Sequence, residues 1–297
     1  MIYVHYVWKY IRSFLIFNVE NIIEMENIIV GIDFSKGSEC AIELSVDIAN
    51  RMSLDLKMVY VSSTSQESGN SSEAEVQTKI EELVKKYQPC LTSTVMSYEI
   101  IEGKVSQELA RIAKQDEAVM VVVGTHGTSG YEKDWIGRNA YKTIEDTECP
   151  VLTIRENFDF NKELENIVLP IDSSMDTRQK VPFTIKMAKL FNSKIHILGL
   201  YSSESIMPMV DKYVDQVEKF VKSYNIEYTV EKTGSENITN STLEYAEKMN
   251  ADLIVIMTEQ EKKLTNIVLG SYAQQMIHHS MIPVLTIHPE EINSTAR

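Results

Sequence analysis

"ENIIVGID" (Glu26–Asp33) and "ENIVLPID" (Glu165–Asp172) decide how this chain folds. Both spell E-N-I-x-x-x-I-D, and they lie 139 residues apart in a chain of 297. Each is an apolar run ending in a carboxylate, the pattern of a strand covered on both faces. Two further stations repeat in the same order. "LKMVYVSS" (56–63) aligns with "IHILGLYSS" (195–203) at the same offset. "WIGRNAYKTIEDTECPVLTI" (135–154) aligns without gaps with "VLGSYAQQMIHHSMIPVLTI" (268–287) at an offset of 133. Three ordered matches mark an internal duplication, and a period this long makes each copy a whole domain.

Within each copy the pattern alternates. "SECAIELSVDIANRM" (38–52) carries apolar residues at helical spacing, and "SEAEVQTKIEELVKKY" (72–87) puts Val76, Ile80, Leu83, Val84 and Tyr87 on one face. Its counterpart in the second copy is "MVDKYVDQVEKFVKSY" (209–224). Third strands follow at "TVMSYEII" (94–101) and "IEYTVEKT" (226–233), then helices over 106–115 and 239–248. The fourth strands, "AVMVVVG" (118–124) and "ADLIVIM" (251–257), are continuously apolar. A last helix leads to "PVLTI" in both copies, at 150–154 and 283–287. The order βαβαβαβαβ predicts a doubly wound α/β domain with a parallel sheet, built twice. The expected division is a leader (1–24), domain 1 (25–155), a polar linker (156–165), domain 2 (166–290) and a tail (291–297).

The leader is aromatic-rich, too short in its apolar run to span a bilayer, and without a small-residue cleavage site. It reads as an extension ahead of a functional start at Met25, with an interfacial amphipathic segment as the alternative. The formal charge of −14 opposes nucleic acid and anionic membrane surfaces as general partners. Cys40, Cys90 and Cys149 are widely spaced, with no CxxC, and are expected to be buried thiols in a reducing compartment. No HExxH or similar spacing appears, so no metal site is expected.

Ligands of open α/β sheets bind beyond the carboxyl ends of the strands, at the switch point. In the first copy that places Ile32 and Asp33 beside the loop "GTHGTSGYEKDWIGRN" (124–139), which holds four of the chain's eleven glycines. Glycines let backbone N–H groups turn toward an anion, and the helix starting near Gly137 offers its free N–H groups and positive dipole end. A loop that merely needs tight turns is the plainer reading. No GxxxxGK[ST], GxGxxG or GxSxG segment is present, which argues against a P-loop, an NAD site and a hydrolase elbow.

The spacing Gly124-x2-Gly127-x9-Gly137 after an apolar strand resembles the nucleotide loop of the universal stress protein family. The strand-terminal Asp33 and the closing "CPVLTI" are similar to that family too, and the likeness covers both copies. The resemblance implies two Rossmann-like five-stranded domains of strand order 3-2-1-4-5, paired as a pseudo-two-fold internal dimer. It also implies a cytoplasmic stress-response protein that binds ATP, with Mg²⁺ as an open accompaniment, in domain 1 only. Ile32 and Asp33 would contact ribose and adenine, and Val61 would pack on the base. Gly124, His126, Gly127, Gly137, Arg138 and Asn139 would surround the phosphates.

Two departures matter. Position 138 carries arginine where the family has serine or threonine. Arg138 could pair with a phosphate, or swing toward Asp33 and close the pocket. In domain 2 the positions matching Gly124, His126 and Gly127 are Met257, Glu259 and Gln260, so no ATP is expected there. No catalytic residue is assigned. A nucleotide-independent interaction protein and a slow ATPase or phosphotransferase are the alternatives. Finally, proline is tolerated at the start of an edge strand. The resemblance implies that Val151–Ile154 and Val284–Ile287 pair antiparallel and join the two domains, with further homo-oligomers left open.

Overall fold

The computed structural model describes residues 27–62, 72–125, 137–156, 158, 163–258 and 270–289. The first half runs β1 (Asn27–Ile32), α1 (Lys36–Met52), β2 (Asp55–Ser62), α2 (Glu73–Tyr87), β3 (Met96–Glu102), α3 (Val105–Gln115), β4 (Met120–Gly124), α4 (Arg138–Asp146) and β5 (Val151–Ile154). The second runs β6 (Asn166–Ile171), α5 (Val181–Phe191), β7 (Lys194–Tyr201), α6 (Met207–Ser223), β8 (Tyr228–Gly234), α7 (Ile238–Lys248), β9 (Leu253–Met257), α8 (Ser271–His279) and β10 (Val284–Ile287). Local chemistry starts the helices where the sequence permits. Ser35 Oγ accepts from Ser38 N at 3.2 Å to cap α1, and Ser72 with Glu75 closes a capping box on α2.

All ten strands form one sheet in the order β3-β2-β1-β4-β5-β10-β9-β6-β7-β8. Each half is parallel and follows 3-2-1-4-5. Successive strand residues go to opposite faces, which explains the unbroken apolar runs. Ile28, Val30, Leu56 and Met58 pack with α1 and α2, while Ile29, Val59, Val121 and Val123 pack with α3 and α4. Both clusters continue through the second half, so helices cover both faces of the whole sheet.

The halves meet at β5 and β10, which pair antiparallel as Val151↔Thr286, Leu152↔Leu285 and Thr153↔Val284. Leu152 and Leu285 match one another at the 133-residue offset, so a pseudo-two-fold axis passes between them. Pro150 and Pro283 sit just before these strands. The ladder asks them only for a carbonyl: Val121 N donates to Pro150 O at 2.9 Å and Ile254 N to Pro283 O at 3.1 Å. The missing prolyl N–H therefore leaves no gap. Around the seam, Tyr141 donates to Gln274 O at 3.1 Å, and Arg155 reaches His278 O at the end of α8. Arg51 of α1 donates to Leu190 O at 3.2 Å and lies 4.4 Å over the Phe191 ring of α5.

One sequence expectation is corrected. Cys40 is buried and Cys149 half-buried, but Cys90 is exposed. It lies on the 3-10 turn Gln88–Cys90, which continues α2 outward beyond its buried face. Burial pushes the Cys40 thiol up to about 11 and Cys149 up to about 12, which leaves both protonated and unreactive at neutral pH.

Candidate functional site

The first crevice opens where β1 and β4 end side by side, with Gly31 paired to Val123. Ile32 is buried on the α1/α2 side of the sheet. Val61 is partly buried on the other side, with Ile101 and Val105. The structure thus separates two side chains expected to share one base, and only Val61 faces the layer that holds α4. Asp33 is half-buried at the end of β1, where its Oδ1 accepts from Ser35 N at 3.0 Å.

Gly124 has a packing reason to be glycine. A Cβ there would meet Gly37 C at 2.6 Å, Gly37 O at 2.8 Å and Ser38 N at 2.9 Å. The end of β4 therefore presses directly on the first turn of α1. Thr125 extends β4, its N–H donating to Ile154 O at 2.9 Å. Gly137 N donates to Thr125 O at 2.7 Å, which brings the start of α4 back to the point where the chain left β4. Gly137 caps α4 and has no side chain to bond the first N–H groups of the helix, and among the described residues no other side chain takes them. Arg138 and Asn139 are exposed. Among the described residues no ion pair joins Arg138 to Asp33. His126 and Gly127 lie outside the described residues.

The second crevice has the same frame and different contents. Pro170 stands where Gly31 does, and β6 pairs with β9 only at Ile167↔Leu253 and Val168↔Ile254. Buried Met257 replaces Gly124. Its bulk is incompatible with a helix start placed as in α1. Accordingly α5 begins at Val181, whereas the residue matching Lys36 is Met175, and the gap holds a 3-10 turn, Asp176–Arg178. Tyr272 replaces Asn139. Its hydroxyl lies 3.5 Å from Thr242 Oγ1 of α7, and burial pushes its pKa up. Asp172 Oδ1 accepts from Ser174 N at 2.8 Å and from Ser174 Oγ at 2.6 Å. Arg178 stacks 3.9 Å over the Tyr213 ring and donates to Gln216. Glu259 and Gln260 lie outside the described residues.

A model of the universal stress protein family matches this chain twice, over residues 24–155 and 163–288. The chain belongs to the universal stress protein family. A universal stress protein of Methanocaldococcus jannaschii is 26% identical over 156 residues, covering 50% of this chain and 91% of that protein. Among solved structures, a universal stress protein from Archaeoglobus fulgidus matches 90% of this chain and 97% of its own, with a TM-score of 0.70 and 16% identity. A functionally unknown protein from Pseudomonas aeruginosa matches 89% and 93%, with a TM-score of 0.65 and 14% identity. Similarity at these identities concerns the fold.

This universal stress protein carries one feature at the first crevice that sequence reasoning missed. Phe34 has φ 62, in the left-handed region that aromatic residues rarely adopt. Its ring lies 5.0 Å from Tyr60, with the Lys79 amine 5.4 Å away. No sequence signal marks it, because a left-handed phenylalanine breaks the turn preferences that a sequence reader relies on. The matching residue, Ser173, has no such backbone. Among the described residues no cluster suited to a metal ion occurs and no helix is long and apolar enough to cross a membrane.

Proposed function

We propose that the first domain binds ATP, or a close adenine nucleotide, and that the protein works as a nucleotide-responsive stress module in the cytoplasm rather than as a fast enzyme. The observation that carries this reading is the bond from Gly137 N to Thr125 O, which holds the glycine-capped start of α4 at the end of β4. A helix start with no capping side chain offers N–H donors and the positive dipole end to a phosphate chain. Exposed Arg138 can add a charge-assisted contact there, since it is not engaged with Asp33. Asp33 has a second carboxylate oxygen for a ribose hydroxyl, and Val61 gives an apolar wall on the α4 side. The residues present fit a nucleotide. Bound ATP would supply charge and a change of shape; the side chains position it, and none is assigned to proton transfer.

Calorimetric titration of the full chain with ATP tests the reading. One site per chain is expected, with affinity falling about tenfold or more in Asp33→Ala, the loss of one charged hydrogen bond. Absence of binding by the wild type, or unchanged binding by the variant, overturns it.

A further inference from the structure

The turn that leaves β1 is wound differently from its twin, and the difference falls on the carboxylate of the first crevice. Asp33 Oδ1 accepts from Ser35 N at 3.0 Å, which closes a turn over Phe34 and leaves Oδ2 as the oxygen for a ligand. Phe34 takes φ 62 inside that turn, a conformation that aromatic residues disfavour and glycine adopts freely. Contacts on the α1/α2 side offset the cost. The ring joins the core there, 5.0 Å from the ring of Tyr60 near the carboxyl end of β2, and the Lys79 amine lies 5.4 Å from its centre.

The far side of the turn is fixed as well. Ser35 Oγ accepts from Ser38 N at 3.2 Å, and Ser38 Oγ donates to Ser35 O at 2.9 Å. Ser38 N is also one of the atoms that a Cβ on Gly124 would strike. The ring, the carboxylate and the helix start that β4 presses on therefore belong to one bonded unit. In the second domain both rings are gone: Ser173 matches Phe34, and Gly199 matches Tyr60. There Asp172 Oδ1 takes both the N–H and the hydroxyl of Ser174, and the following helix starts late. The aromatic pair and the left-handed turn thus accompany only the carboxylate that the nucleotide reading uses.

We propose that Phe34 is a positioning residue of the nucleotide site: its ring, braced on Tyr60, holds the left-handed turn that sets the Asp33 carboxylate for the ligand. The proposal rests on the ATP reading of the first crevice and adds to it a residue that acts through Asp33 rather than by touching the nucleotide. Backbone held in a disfavoured conformation by tertiary contacts is a form of pre-organisation. Without the ring the turn samples other shapes, and binding must then order the carboxylate as well as engage it.

Calorimetric titration with ATP of the full chain as wild type, Phe34→Gly, Asp33→Ala and the double variant tests it. Phe34→Gly permits the same backbone but removes the ring, and its affinity should fall about fivefold. In the Asp33→Ala background the same substitution should change affinity little, because the carboxylate it positions is gone. Phe34→Tyr should restore wild-type binding. A residue with a structural role alone would shift the unfolding midpoint and leave the affinity of the folded protein as it was. Unchanged affinity in Phe34→Gly, or the same loss again in the Asp33→Ala background, overturns the role while the ATP site stands. Where Asp33→Ala binds too weakly to titrate, failure of Phe34→Tyr to restore binding overturns it. Absence of binding by the wild type overturns the ATP reading and this role with it. If Phe34→Gly does not fold, Tyr60→Leu, which removes the brace, carries the same expectation, and unchanged affinity there overturns the role.

Discussion

The two crevices share a frame and differ in what each strand end must leave room for. At Gly124 the first gives its space to the start of α1, whose backbone lies closer than any Cβ allows. At Met257 the second fills that space with a side chain, and its helix starts later. At the next helix the contrast repeats: Asn139 is exposed at the start of α4, whereas Tyr272 folds against Thr242. Neither set of changes touches the seam, where Leu152 faces Leu285. Binding surfaces at strand ends can thus diverge one residue at a time, provided the neighbouring helix start moves with them.

The strongest way to break the comparison is to put the second crevice's residue into the first. Gly124→Met should force the start of α1 off β4, lowering stability by about 3–4 kcal/mol. Chemical unfolding measures this, and a loss below about 1 kcal/mol would show that α1 yields easily.

A somewhat smaller effect separates the residues that follow the last strands. Arg155 reaches His278 O across the seam, whereas His288 at the matching position is buried against Thr258, 2.9 Å from its hydroxyl. Burial holds His288 down at about 4. Between pH 6.5 and 4 the unfolded chain therefore binds a proton that the folded chain refuses. Stability should fall as pH drops through that window, by about 2–3 kcal/mol in all. In His288→Gln the pH slope should flatten; an unchanged slope would assign it to other groups.

The smallest effect sharpens the contrast at α8. Tyr272→Asn, which copies Asn139, should cost about 1–2 kcal/mol through lost packing. It should not create ATP binding in domain 2, because Met257 remains where domain 1 has Gly124. A second ATP site seen by calorimetry in this variant would show that Tyr272 alone closes the crevice.

The alternation of strands and helices, built twice, was legible in the repeated apolar runs. The strand order and the seam followed instead from the resemblance to the universal stress protein family, with Pro150 and Pro283 compatible because the ladder needs only their carbonyls. Asp33, Gly124 and Gly137 were legible as neighbours, since topology brings strand ends and helix starts together. The reason for Gly124 was not, because its constraint is the backbone of Gly37, distant in sequence. Ile32 and Val61 looked like partners, but strand alternation sends them to opposite faces. Phe34 escaped notice because a left-handed aromatic runs against local preference, and only tertiary packing holds it there.

The Leu152–Leu285 pairing has a consequence for how the molecule behaves on dilution. Two separate copies joined by this strand pair would come apart as their concentration fell. Carried on one chain, the contact is intramolecular, and its strength is set by a tether instead of by the amount of protein in solution. The stoichiometry of unlike halves is then fixed at one to one, and the tether favours each half's own neighbour over a copy of itself from another chain.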